Sequence, residues 1–269
     1  EISKSQKLNL VLDLHENYPV LLQMSEHTRS IAGKILCSIK KWKAYEKKYV
    51  NLADHIIVVV EEARERLVKL GADPGKIEIV SNYLKFENYR QFKRNPRKDG
   101  KITFVYIGGI TYHRGLQYVL EAAQLLTDLS EKFYIKIIGD GRYIKSLKLL
   151  TRKYKLKNVL FTGWLSEYEA FENLSDANVA LIPHIKSDHT DNTIPHKLFY
   201  YMYYGIPVIS SDCKPIERIF KESGSGIIFP SGNAKSLSQI MRSFISDPHM
   251  ANNYSESRNY VKQKYNWNQ

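Results

Sequence analysis

The 269-residue chain, 43% hydrophobic and 25% charged, has the make-up of a globular protein of one large or two ordinary domains, and it lacks the roughly 18 uninterrupted apolar residues that a bilayer-crossing helix needs. Its two cysteines, Cys37 and Cys213, lie far apart without metal-ligand spacing; this argues against a disulfide scaffold or a metal site and fits free buried thiols in a reducing, cytoplasmic compartment. A formal net charge of +12 calls for acidic company, with nucleic acid, a phosphorylated small molecule and an anionic membrane surface as the candidates.

The opening residues EISKSQKLNLVLDLHENYP lack the charged start, apolar stretch and small-residue cleavage site of a signal peptide, and there is no initiator Met. The chain is therefore expected to begin inside a larger protein. In residues 29–49, Ile31, Ile35, Leu36, Ile39 and Trp42 recur at helical spacing, while Lys34, Lys40, Lys41, Lys43, Lys47 and Lys48 fill much of the remainder. The pattern predicts a basic amphipathic helix, which either lies on anionic lipid or turns its apolar stripe to the core as an ordinary surface helix does. HIIVVV (55–60) and KIEIVSN (76–82) read as buried strands of the parallel kind, and EEARERLVKLG between them as a helix with acidic residues in its first turn and Gly71 where a C-cap belongs. The polar, aperiodic KFENYRQFKRNPRKDGK, with Pro96 and Gly100, reads as an interdomain linker or long loop.

Beyond it, strands ITFVYIGG, FYIKIIGDG, NVLFTGW, NVALIPH, PVISSD and GIIFPSG alternate with helix-like segments. Leu116, Leu120, Ala123 and Leu126 make one apolar stripe, and Leu237, Ile240, Met241 and Phe244 another. Strands joined by crossover helices predict an α/β domain with a doubly wound parallel sheet.

Such sheets bind ligands outside the carboxyl ends of their strands. The loop after ITFVYI carries Gly108 and Gly109, then Arg114 ahead of a helix; this suits an anion but lacks GxGxxG spacing, which disfavours a dinucleotide. Gly139 and Gly141 offer a second close backbone approach, and Gly163, Trp164 and Leu165 a third with an aromatic ring. Each glycine taken alone is equally a turn residue. After NVALIPH comes a polar loop containing Asp191, Asn192, Thr193 and Ile194, then a helix starting near Pro195 and carrying Lys197. Its dipole, the amides around Thr193 and Ile194 and the Lys197 ammonium together suit a diphosphate. The tyrosines behind them read as packing, with Tyr200 also one turn from the phosphate end, where a ribose would lie.

The ordered set IGG…RG, IIGDG, VLFTGWLS, DANVALIPH, NTIPHKLFYYMYYGIPVISSD and GIIFPSGN resembles the C-terminal, nucleotide-sugar-binding domain of GT-B glycosyltransferases, in particular the large retaining family numbered four. DLHENYP (13–19) and YEKKYVNLADHIIVVVEEARERL are similar to the later part of that family's acceptor-binding domain. The resemblance implies that about the first hundred residues of an intact enzyme are absent. It makes His15 a group that hydrogen-bonds the sugar or the leaving phosphate, with Glu16 beside it a lesser candidate. The family's two glutamates, eight positions apart, correspond here to Asn192 and Tyr200. Gly109 stands where the family often has arginine, and Arg114 where it has lysine. A phosphate cation is retained and its partner is not.

Read this way, residues 1–83 are a partial Rossmann-like acceptor domain, 84–101 a linker, 102–253 the Rossmann-like donor domain and 254–269 the start of a C-terminal crossing helix. The expected activity is retaining transfer of a sugar from a UDP or GDP type donor to a saccharide or lipid-linked saccharide hydroxyl, in envelope polysaccharide or glycolipid synthesis. No metal or cofactor is expected, and the site is cytoplasmic, at the inner membrane face. Two other readings stand beside it. One is a degenerate subunit that binds a nucleotide sugar or a partner without turnover, motivated by Asn192 and Tyr200. The other is a nucleic-acid-binding protein, motivated by charge but without a supporting motif.

Overall fold

The computed structural model describes residues 8–24, 38–88, 95, 97, 99–254 and 256–267. Ile31, Lys34, Ile35, Leu36 and Cys37 lie outside them, and with them the first half of the expected basic helix. The chain divides into two compact units: one runs up to Tyr83 and includes Lys186–Ile194, the other takes Leu84–Ile185 and everything from Pro195 onward.

The first unit contains strand β1 (Val11–Leu14), helices α1 (Tyr18–Met24) and α2 (Ile39–Leu52), strand β2 (His55–Val58), helix α3 (Glu61–Lys69) and strand β3 (Ile77–Ile79). The strands form a parallel sheet in the order β1-β2-β3. Glu61 and Glu62 occupy the first turn of α3 and Arg66 and Lys69 its last, an arrangement that complements the helix dipole. Ala63 and Leu67 of α3 are buried, and Arg66 clamps Glu46 of α2 through two hydrogen bonds of 2.9 Å. Among the described residues of the expected basic stripe, Ile39 is half-buried and Trp42 is exposed.

The second unit adds strands β4 (Ile102–Ile107), β5 (Phe133–Ile138), β6 (Val159–Gly163), β7 (Val179–Ile182), β8 (Val208–Ser211) and β9 (Gly226–Phe229). Between them run helices α4 (Leu116–Gln124), α5 (Ile144–Lys153), α6 (Glu167–Glu172), α7 (His196–Tyr203) and α8 (Lys214–Ser223), followed by α9 (Ala234–Ser246) and α10 (Ser257–Lys264). All six strands pair in parallel, in the order β6-β5-β4-β7-β8-β9. Strands buried on both faces must be apolar throughout, which is why ITFVYI and VALI read as continuous runs. Leu116, Leu120, Ala123 and Leu126 are all buried against β4 and β5, and Leu237, Met241 and Phe244 join the same core with Ile240 at its margin. The strand order reverses between β4 and β7, so the carboxyl ends of these two strands bound the crevice where doubly wound sheets take their ligands.

Two boundaries differ from the sequence expectation. The residues expected to open a linker at 84 pack into the second unit instead. Leu84 donates its N–H to the Tyr265 carbonyl at 3.0 Å and accepts from the Trp267 N–H at 3.1 Å, and Phe86 stacks on Tyr203 with centroids 4.6 Å apart. Residues 186–194, expected within the donor domain, belong with the first unit: Ile194 is buried and its carbonyl accepts from Asn82 Nδ2 at 3.4 Å. The C-terminal helix α10 packs on α7, where Ser257 Oγ donates to the Met202 carbonyl at 3.1 Å and Tyr265, just beyond α10, lies against Phe199 at 4.3 Å.

Candidate functional site

Three loops meet at the carboxyl edge of the second unit's sheet, and main chain holds them together. The Gly108 N–H donates to the Ile138 carbonyl at 2.9 Å, Ile110 N–H to the Asp140 carbonyl at 2.9 Å and Gly139 N–H to the Gly163 carbonyl at 2.8 Å. A Cβ added to Gly139 would come 2.1 Å from the Gly108 carbonyl oxygen. The closeness that the sequence assigns to a ligand is thus spent at Gly139 on the neighbouring loop. Gly141 is spent the same way, since a Cβ there would come 2.2 Å from the Ile110 carbonyl oxygen. Gly109 differs, with open space where its side chain would be. Trp164 is 76% exposed and Leu165 half-buried, so this third loop presents its ring to solvent.

Above this floor stand two cations. Helix α7 begins after Pro195, which serves as its N-cap with extended backbone and so lies one position before the first turn. One residue into the helix, Lys197 reaches back so that its Nζ lies 3.8 Å from the centroid of the Tyr106 ring. A Cβ at Gly108 would sit 2.7 Å from that nitrogen, and the backbone there has φ +132°, so a glycine both reaches this conformation and leaves room for the ammonium. The residue as a whole keeps part of its surface in water, but its ammonium end is the buried part. Burial, and then the charge of Arg114, hold its pKa well below the usual lysine range. Arg114 lies in the turn after β4, with its Nη1 3.2 Å from His184 Nε2. Among the described residues, no carboxylate pairs with Arg114 or Lys197.

Two buried tyrosines support these cations from below. Tyr106 donates from Oη to the Gly109 carbonyl at 2.8 Å, and burial pushes its phenol far up, against the pull of Arg114. Tyr201 accepts the Ile107 N–H at 2.9 Å; its phenol too is pushed up by burial. Both therefore stay neutral, Tyr201 tying α7 to the end of β4 and Tyr106 offering Lys197 an aromatic face. Tyr200, one residue earlier, is half-buried with its ring edge-on to Phe171 at 5.3 Å.

The remaining sequence candidates lie in the first unit. Asn192 donates from Nδ2 to the Asp188 carbonyl at 2.6 Å, inside a loop closed by mutual bonds of Ser187 and Thr190. Asp191 and Thr193 are half-buried there, and Ile194 is a core residue at 4% exposure. Among the described residues, the amides of Thr193 and Ile194 donate no hydrogen bond. His15 follows β1, exposed, with Nε2 3.1 Å from a carboxylate oxygen of Asp13. Glu16 lines a pocket of about 680 Å³ together with Leu12, Leu14, Tyr18, Trp42 and Tyr45.

Tyr106 and His184 escaped the sequence reading. His184 ends the quoted strand NVALIPH, and the rule that ligand residues follow strands applied to it directly. Tyr106 gives no such signal, since a tyrosine inside an apolar strand looks like any core aromatic.

A sequence model of the family described as glycosyl transferases group 1 matches residues 87–262. The chain is 27% identical over 206 residues to the putative colanic acid biosynthesis glycosyltransferase WcaL of Salmonella typhimurium, covering 75% of this chain and 50% of that protein. It is 20% identical over 258 residues to the alpha-D-kanosaminyltransferase of Streptomyces kanamyceticus, covering 92% and 64%. The chain thus spans about half to two thirds of the length of these relatives. In three dimensions it is similar to Anabaena Alr3699/HepE in complex with UDP, at a TM-score of 0.77 and 14% identity over 98% of this chain and 70% of that one. It is also similar to WaaG, a glycosyltransferase involved in lipopolysaccharide biosynthesis, at a TM-score of 0.74 and 14% identity over 96% and 71%. The fold is of the α/β, GT-B type with parallel sheets.

Proposed function

The chain belongs to the glycosyl transferases group 1 family, and from that premise we propose that it serves retaining transfer of a sugar from a nucleotide-diphosphate donor of the UDP or GDP type to an acceptor hydroxyl. In that reaction the bond between the sugar's anomeric carbon and the diphosphate breaks, and the electron pair leaves with the phosphate. The acceptor oxygen bonds to the anomeric carbon, and its proton goes to the departing phosphate oxygen. The enzyme's task is positioning and stabilisation of the departing charge.

The observation that carries this reading is the pair Arg114 and Lys197, two cations at the switch point of the sheet with no carboxylate partner among the described residues. Holding Lys197 there is electrostatically unfavourable until an anion arrives, and a diphosphate supplies the missing charge. Gly109 gives the open backbone beside it. Within the second unit, Tyr200 is assigned to the ribose; Thr193, Ile194, Asn192 and His15, which lie in the first unit, keep the donor-binding roles that the family resemblance implies. Gly108 makes room for Lys197, while Gly139, Gly141 and Gly163 frame the floor on which Trp164 and Leu165 meet the base. We assign the charge stabilisation to these groups and to no metal or cofactor. HepE in complex with UDP and with UDP-glucose supports the donor class, and the relatives in colanic acid and amylovoran biosynthesis support a saccharide or lipid-linked saccharide acceptor.

Titration of UDP and GDP into the chain tests the site. Since a charge-assisted hydrogen bond contributes about 1.5 to 3 kcal/mol, Arg114→Ala and Lys197→Ala are each expected to weaken binding by roughly tenfold or more. Unchanged affinity in both variants would remove the assignment. A product assay with candidate donor sugars then separates turnover from binding.

A second reading, a donor-binding subunit without turnover, is favoured by Asn192, whose amide is bonded within its own loop, and by Tyr200, whose ring packs on Phe171; neither supplies a carboxylate. For location we propose the cytoplasmic membrane face. Helix α2 exposes Lys40, Lys41, Lys43, Lys47 and Lys48 beside Trp42 and Tyr45, a composition suited to anionic headgroups. Among the described residues no helix is long and apolar enough to cross a membrane.

A further inference from the structure

Arg114 is held by a neutral ring. A guanidinium only donates, so in the 3.2 Å contact the lone pair of His184 Nε2 accepts from Nη1 and the ring carries its proton on Nδ1. His184 is 3% exposed and fixed on three sides. Its carbonyl accepts from Ser211 Oγ at 2.6 Å and from Ser231 Oγ at 3.3 Å, which ties it to the ends of β8 and β9. The next residue, Ile185, donates its N–H to the His113 carbonyl at 2.9 Å. Just before it, the Pro183 carbonyl oxygen stands where a Cβ on Gly115 would come within 1.7 Å. Backbone contacts therefore clamp the Arg114 turn to the exit of β7 on both sides of the Arg114–His184 pair.

We propose that His184 is a positioning residue that aims the Arg114 guanidinium at the donor diphosphate while leaving its full positive charge available. A carboxylate in the same place would fix the arginine more strongly but would neutralise it and compete with the phosphate. A neutral acceptor supplies geometry alone. Among the described residues one N–H of Arg114 is engaged, by His184, which leaves four for an anion. This inference rests on the donor-site reading given above and adds to it the residue that sets its geometry.

A double-mutant cycle read by calorimetric titration of UDP and GDP tests it. His184→Phe is expected to weaken binding by about three- to tenfold in the natural chain and to have no further effect when combined with Arg114→Ala. His184→Gln, whose side-chain oxygen accepts at similar reach, is expected to retain most of the affinity. An equal loss from His184→Phe with and without Arg114 would make His184 mere packing and overturn the proposal, as would natural affinity in His184→Phe while Arg114→Ala binds weakly; in both cases the donor-site reading survives. If Arg114→Ala binds both nucleotides as the natural chain does, the donor-site reading falls and this inference with it. Should His184→Phe fail to fold, His184→Asn, polar but too short to reach, takes its place. Weaker binding by Asn than by Gln supports the role, and equal binding overturns it.

Discussion

The ammonium of Lys197 lies 3.8 Å from the ring centroid of Tyr106, and that ring is the principal compensation the protein gives a cation it has taken out of water. A cation–π contact offsets about 0.5 to 2 kcal/mol, less than the cost of burying an unpaired charge. The position of the Lys197 ammonium is thus maintained at some expense to the fold.

Lys197→Met is accordingly expected to stabilise the chain by about 1 kcal/mol at neutral pH while weakening nucleotide binding by roughly tenfold or more. The sign follows from the lowered pKa of Lys197. The unfolded chain holds this proton up to the ordinary lysine range and the folded chain releases it earlier, so natural stability rises with pH across that window. The advantage of the methionine variant should shrink as pH approaches 10, as thermal melts at several pH values would record. A variant less stable than the natural chain at pH 7 would contradict this account.

Tyr200→Glu separates packing from ribose binding. Loss of the ring contact with Phe171 is expected to cost about 0.5 to 1.5 kcal/mol. A carboxylate receiving two ribose hydroxyls should tighten UDP or GDP binding by roughly five- to tenfold. A lower melting temperature without any gain in affinity would show that the ribose is not held at Tyr200.

Nucleotide binding is expected to survive chelation, because the assigned phosphate contacts are the cations Arg114 and Lys197 and backbone amides. Titrations of UDP in EDTA and in magnesium chloride should agree within about twofold. A tenfold advantage with magnesium would assign part of the charge stabilisation to a metal.

In the second unit, Glu222 of α8 accepts from Lys264 Nζ at 2.8 Å and from Tyr260 Oη at 2.5 Å. Burial works against its charge, but these hydrogen bonds outweigh it and hold its carboxyl below the usual range. Stability from this cluster is therefore present above the ordinary glutamate range and lost as pH falls through the native value. Glu222→Gln should lower the melting temperature at pH 7 by a few degrees, and the difference should shrink as pH falls below the ordinary glutamate range. A gap independent of pH would mean that packing, not charge, attaches α10.

The six strands and the helical stripes were legible because a parallel sheet buried on both faces leaves little choice of residue. Phe104 and Ile135 must be apolar wherever they stand. That Arg114 and Lys197 stand beyond the carboxyl ends of strands was legible because each follows an apolar run and a turn. Tertiary detail was not. Leu84 and Phe86 sit in a stretch whose polar composition announces a linker, yet each finds a partner far along the chain, Tyr265 and Tyr203. Residues 186–194 read as an ordinary loop, and nothing local reports that Asn82 takes the Ile194 carbonyl. Gly139 looked like a ligand contact because a sequence shows that a backbone approaches closely without showing what it approaches.

The backbone links from Gly108 to Ile138, from Ile110 to Asp140 and from Gly139 to Gly163 bear on how such a site diversifies. A floor stitched from main chain does not depend on the identity of the side chains rising from it. An exposed position such as Trp164 can drift, or be exchanged by design, without disturbing the platform. A one-residue insertion between Ile138 and Gly141 would instead break the stitching on both sides at once. New donor preferences on this scaffold are therefore reached by substitution, and changes of loop length are the moves it tolerates least.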